Sequence, residues 1–130
     1  MSADSATPWG KSAILVVDDV PSARKVLRRM LATIGFEDVS EAENGTQAFE
    51  CAAQKEFDII ITDLNLGEEN GLELIDKLRD QGIISRFIVV TGETDEAVDE
   101  KAMQKSALAL RKPFGKDQLR TKILQALSDG

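Results

Sequence analysis

No histidine occurs among the 130 residues. That excludes histidine-bound zinc, a Ser-His triad and any histidine that could itself carry a phosphoryl group. The one cysteine, Cys51, allows no internal disulfide and fits a reducing compartment such as the cytoplasm. It falls in a helix-like segment and reads as a small buried residue. Positive charge is scarce: 16 Lys and Arg against 23 Asp and Glu give a net charge of −7. Phosphate backbones need Lys and Arg, so no direct nucleic-acid partner is expected. No apolar run approaches the roughly 20 residues of a membrane span, so no membrane partner is expected either. Residues 1–10 have neither a basic start nor an apolar segment. They read as a flexible tail and not as a secretory signal. A Gly-rich loop closing on Lys-Ser/Thr is missing, which argues against an NTPase. Carboxylates are the only strong ligands or nucleophiles left in quantity.

What the chain does have is a short β-branched run, FDIIITDLN at 57–65, with a carboxylate at its end. It is too short for a helix and reads as a strand over 58–62, buried on both faces. Asp63 then stands where the strand leaves the sheet. Ligand chemistry collects at that place in open parallel α/β sheets.

Around this run the pattern is β-α, repeated five times. A first strand over 12–17 ends in Asp18-Asp19. Pro21 suits the first turn of a helix, Leu27, Met30, Leu31 and Ile34 recur at helical spacing, and Gly35 stops it. A half-polar strand over 37–43 belongs at a sheet edge. Asn44-Gly45 signals a turn before a small helix over 46–54. Beyond the central strand, Leu66-Gly67-Glu68-Glu69 reads as a polar loop. Asn70 with Glu73 resembles a capping box for a helix closed by Gln81-Gly82. A strand over 86–90 leads into Thr91, and Thr94 can cap a helix running to Lys105. That helix has a thin apolar face of Ala97, Val98, Ala102 and Met103. A short strand over 108–110 runs into Arg111-Lys112-Pro113-Phe114. Leu119, Ile123, Leu124 and Leu127 mark the last helix.

Alternating elements imply a parallel sheet with helices on both faces. All the strand ends then share one edge, so Asp18, Asp19, Asp63, Thr91 and Lys112 converge. Three carboxylates packed together repel unless a cation intervenes. Mg2+ suits an all-oxygen site and takes few protein ligands beside a phosphate. A lysine and a hydroxyl complete a place where a phosphoryl group could rest on a carboxylate oxygen.

Asp18-Asp19, Asp63, Thr91 and Lys112-Pro113 on this repeat resemble the receiver domain of two-component response regulators, of the single-domain, chemotaxis-regulator kind. The resemblance covers 11–128, which would form one receiver domain. It implies a flavodoxin-like, doubly wound α/β fold: five parallel strands in the order 2-1-3-4-5, with five helices. It also implies the site. Asp63 would be the phosphoacceptor. Asp19 and Asp63 would ligate Mg2+ directly, Asn65 through its backbone carbonyl and Asp18 through water. Thr91 and Lys112 would bind the phosphoryl oxygens, and the bond before Pro113 would be cis. Asn65 and Glu93 would line the path of the attacking water and tune dephosphorylation. The donor would be a histidine kinase or a histidine phosphotransfer protein. Output would pass through the face of the fourth helix, fifth strand and fifth helix, to a downstream protein or an attached output domain. Such a chain is a signalling phosphoacceptor, not an enzyme beyond its own phosphotransfer and autodephosphorylation.

The sequence departs from that family at three places. Ala109 stands where the family usually has Tyr or Phe, so the familiar ring switch cannot operate in that form. Gly67 replaces a usual Pro and Asn70 a frequent Asp, which suggests a looser loop after Asp63. Two rival readings differ in class. A pseudo-receiver would bind partners without phosphorylation; Ala109 favours it and the complete set of site residues opposes it. A flavin-binding flavodoxin on the same fold would need a Ser/Thr/Gly-rich phosphate loop, whereas Asp18-Asp19-Val20-Pro21 is acidic.

Overall fold

The computed structural model describes residues 11–92 and 96–128. The tail expected at 1–10, Glu93 and the Thr94 cap lie outside the described residues. Five strands, β1 (Ala13–Val17), β2 (Asp38–Ala42), β3 (Ile59–Asp63), β4 (Arg86–Thr91) and β5 (Ala107–Arg111), form one sheet. Every neighbouring pair is parallel and the order is β2-β1-β3-β4-β5, the flavodoxin-like order that the family resemblance implies. Among the described residues the helices are α1 (Pro21–Ile34), α2 (Gly45–Gln54), α3 (Gly71–Asp80), α4 (Glu96–Gln104) and α5 (Lys116–Ser128). Among the described residues no helix is long and apolar enough to cross a membrane.

Strand alternation feeds two cores, one on each face of the sheet. Leu15, Val17, Ile60, Phe87 and Val89 join Leu74, Ile75 and Leu78 of α3 and Val98 and Ala102 of α4. Ile14, Val16, Ile59, Ile61, Ile88 and Val90 meet Leu27 and Leu31 of α1 and Leu119 and Ile123 of α5. Ile59, Ile60 and Ile61 are all fully buried, as expected for a central strand covered on both faces. Each contributes about 1.5–3 kcal/mol of apolar burial. β2 is the half-exposed edge strand its polar sequence implies.

Several local details depart from the sequence reading. α2 begins one residue early, at Gly45, because Asn44 caps it: its Oδ1 accepts the Gln47 N–H at 2.9 Å. Asn70 Oδ1 accepts from Leu72 N–H at 2.8 Å, one residue short of the Glu73 partner of a capping box. On α4 only Val98 and Ala102 of the expected apolar face are buried; Ala97 is exposed and Met103 is 72% exposed. Cys51 is half-buried at the edge of the core instead of sealed inside it.

Candidate functional site

The C-terminal ends of the strands open on one edge, and Asp18, Asp19, Asp63 and Lys112 converge there. One oxygen from each of Asp18, Asp19 and Asp63 lies within 4.8 Å of the others. Lys112 Nζ donates to Asp63 Oδ2 at 3.1 Å. Thr91 ends β4 fully buried, and its carbonyl accepts the Lys112 N–H at 2.8 Å. The Lys112–Pro113 peptide bond is cis. Asn65 is exposed, and its N–H donates to Asp63 Oδ1 at 3.3 Å. Ala109 pairs in register with Val89 in the middle of β5 and places no ring there.

Asp18 is buried and held at three atoms. Its N–H donates to the Ala42 carbonyl at 3.1 Å, its Oδ1 accepts the Val20 N–H at 2.9 Å, and its carbonyl accepts from Arg24 Nη1 at 2.6 Å. Burial pushes its carboxyl above the ordinary range; the Val20 N–H opposes this, Asp63 reinforces it, Lys112 offsets it and Asp19 adds to it. A bound cation would relieve the crowding. Three carboxylate oxygens without sulfur or imidazole fit a hard divalent ion.

Sequence reasoning passed over the residues that hold this pocket. Arg24 donates through Nε to Glu41 Oε1 at 3.0 Å, and Arg28 Nη1 donates to Glu41 Oε2 at 2.8 Å. A long cation one helical turn beyond an acidic pair was a usable signal for Arg24. The polar loop expected after Asp63 is a hairpin. Asn65–Leu66 pairs antiparallel with Glu69–Asn70, turning at Gly67 with φ +69°. The Gly71 N–H donates to the Leu64 carbonyl at 2.7 Å. A Cβ on Gly71 would lie 2.3 Å from the Asp63 carbonyl oxygen, so only glycine fits.

The sequence profile of the family described as the response regulator receiver domain matches residues 14–124. This chain belongs to the response regulator receiver family. It is 36% identical over 117 residues to the chemotaxis protein CheY1 of Helicobacter pylori, covering 85% of this chain and 92% of that protein. It is 35% identical over 116 residues to the sensor protein EvgS of Escherichia coli K12, covering 88% of this chain but only 10% of EvgS. Receiver sequences like this one therefore stand nearly alone in one relative and form a small part of another. The solved structure of the chemotaxis response regulator CheY4 of Vibrio cholerae superposes with a TM-score of 0.81 at 28% identity, covering 90% of this chain and 99% of that one. A LuxR-family two-component response regulator from Aurantimonas gives a TM-score of 0.84 at 26% identity, covering 92% and 86%. The receiver is a signalling module, and its fold is that of its CheY-like neighbours.

Proposed function

We propose that this receiver takes a phosphoryl group from phosphohistidine onto Asp63, with Mg2+ bound, and signals through the α4-β5-α5 face. One observation carries the reading: three carboxylates meet within 4.8 Å at the edge where Lys112 reaches Asp63 at 3.1 Å. Asp19 and Asp63 would hold the ion directly, the Asn65 backbone carbonyl would add to them, and Asp18 would act through water. When bound, the ion supplies charge neutralisation for the carboxylates and the phosphoryl oxygens.

In the transfer an Asp63 carboxylate oxygen forms the new O–P bond as the donor's N–P bond breaks, and the electron pair stays on the imidazole nitrogen. Lys112 and the Thr91 hydroxyl bind the phosphoryl oxygens. Hydrolysis by water returns inorganic phosphate and the free carboxylate, and Asn65 and Glu93 are the residues that would tune this step. The donor is a histidine kinase or histidine phosphotransfer protein in the cytoplasm. The recipient of the signal is a downstream protein or an attached output domain, and residues 11–128 make up the working unit.

Phosphotransfer from a phosphorylated donor protein tests this. Label should appear only with a divalent metal and should vanish in Asp63→Asn. Label persisting in that variant at the same stoichiometry would sink the reading. Mg2+-dependent binding of beryllofluoride separates it from an interaction module that works without phosphorylation.

A further inference from the structure

The hairpin after β3 carries a carboxylate that the phosphoryl chemistry leaves unused. Glu69 Oε1 accepts the N–H of Gly45, the first residue of α2, at 2.9 Å. The seat is close-fitting: a Cβ on Gly45 would lie 2.2 Å from Glu69 Oε2. The carboxylate thus occupies the space a side chain at 45 would need. It sits where the helix dipole favours negative charge. Asn44 covers the Gln47 N–H and Glu69 covers that of Gly45, so two orphan donors of α2 are satisfied from two different elements.

The same residue stands in the hairpin ladder, with Glu69 opposite Leu66 and Asn70 opposite Asn65. At the turn, a Cβ on Gly67 would lie 3.7 Å from Asp19 Oδ2, so the turn flanks the acidic cluster. Two-residue ladders are not stable alone in water. Two further tethers hold this one: Gly71 N–H on the Leu64 carbonyl at the base, and Glu69 on α2 at the flank.

We propose that Glu69 is a positioning residue for the acidic pocket: seated on the α2 N-terminus, it holds the 64–70 hairpin, and with it the Asn65 backbone carbonyl, against Asp19 and Asp63. The part that concerns metal rests on the phosphoacceptor reading; the part that concerns the hairpin does not.

Three variants of the full chain test it. Glu69→Ala removes the seated group. Gly45→Ala evicts it while leaving every charge in place. Glu69→Gln keeps an acceptor oxygen. Amide exchange is measured on metal-free protein and Mg2+ affinity by calorimetry. Glu69→Ala and Gly45→Ala should speed exchange at Gly45 and across 65–70. Both should weaken Mg2+ binding by roughly two- to tenfold, the scale of one net hydrogen bond. Glu69→Gln should recover most of both effects. Faster exchange at Gly45 alone, with 65–70 and Mg2+ affinity unchanged, would overturn the inference. A wild-type chain that binds no Mg2+ would overturn the phosphoacceptor reading instead, and exchange across 65–70 would still decide whether Glu69 holds the hairpin.

Discussion

Lys112 on the end of β5 places its ammonium 3.1 Å from the Asp63 carboxylate, and the two differ in exposure: the lysine side chain is 42% exposed, the aspartate 11%. On the proposed function, an incoming phosphoryl group would take over the ammonium without opening the core. Because the pair is half in water, its worth to folding is under about 1 kcal/mol. Its worth to phosphoryl transfer is larger, because it aims a donor at developing charge; Lys112→Ala should slow uptake roughly 10²-fold. Transfer rates set beside denaturant midpoints check both halves.

The bound phosphoryl group should be short-lived. Asn65 is exposed beside Asp63, small and able to hold a water by hydrogen bonds. Asn65→Arg puts a bulky cation across the water's path and should lengthen the lifetime about tenfold, the effect of roughly 1.4 kcal/mol on the barrier. Decay of the labelled protein in Mg2+ measures it. A wild-type label that survives many hours would contradict the prediction.

Output should be a small, backbone-led shift. Ala109 offers no ring to turn inward. Arg111, in register with Thr91, instead reaches α4 through an Nη2–Asp99 Oδ2 contact of 2.7 Å. Chemical shifts with and without beryllofluoride should change modestly over 92–105, with coupling below the roughly 1–3 kcal/mol usual in allosteric systems. Asp99→Ala should shrink that change. Met103 is largely exposed, so Met103→Ala should leave it alone. A large change abolished by Met103→Ala or Phe114→Ala would assign the switch to that side chain, and changes confined to 64–70 would move the output to the hairpin.

Acid should undo the brace behind Asp18. The Arg28 hydrogen bond, and after it that of Arg24, hold the Glu41 carboxyl below its ordinary value of 4.5, against a partial opposing effect of burial. A carboxylate with a lowered folded-state pKa adds stability above the unfolded value and loses it as pH falls through the folded one. Wild type should therefore lose more stability than Glu41→Gln once the pH drops below 4.5. Denaturant midpoints across an acid series should converge at the bottom.

The fold was legible because its signals are local. Ile59, Ile60 and Ile61 announce a doubly covered strand, and Gly35 and Gly82 mark helix ends with positive φ. The convergence of Asp18, Asp19, Asp63 and Lys112 followed from parallel topology alone. What stayed hidden are pairings between distant residues. Glu69 finds Gly45 across 24 positions and Arg24 finds Glu41 across 17. Neither carries a periodicity, since any exposed carboxylate could read the same way. The thin face of α4 was overread for a similar reason: Met103 has helical spacing, but nothing in the spacing says which side of the stripe meets the sheet.

Gly71 carries one last consequence. With 2.3 Å between a would-be Cβ and the Asp63 carbonyl, α3 starts hard against the backbone of Asp63. Asp63 is thereby clamped at its backbone carbonyl. On the proposed function it would act as an anvil: a group placed on it would have a fixed backbone behind it, and the recoil would go to the groups it meets. Lys112, 3.1 Å from the Asp63 carboxylate, is one of them, and it lies between β5 and α5.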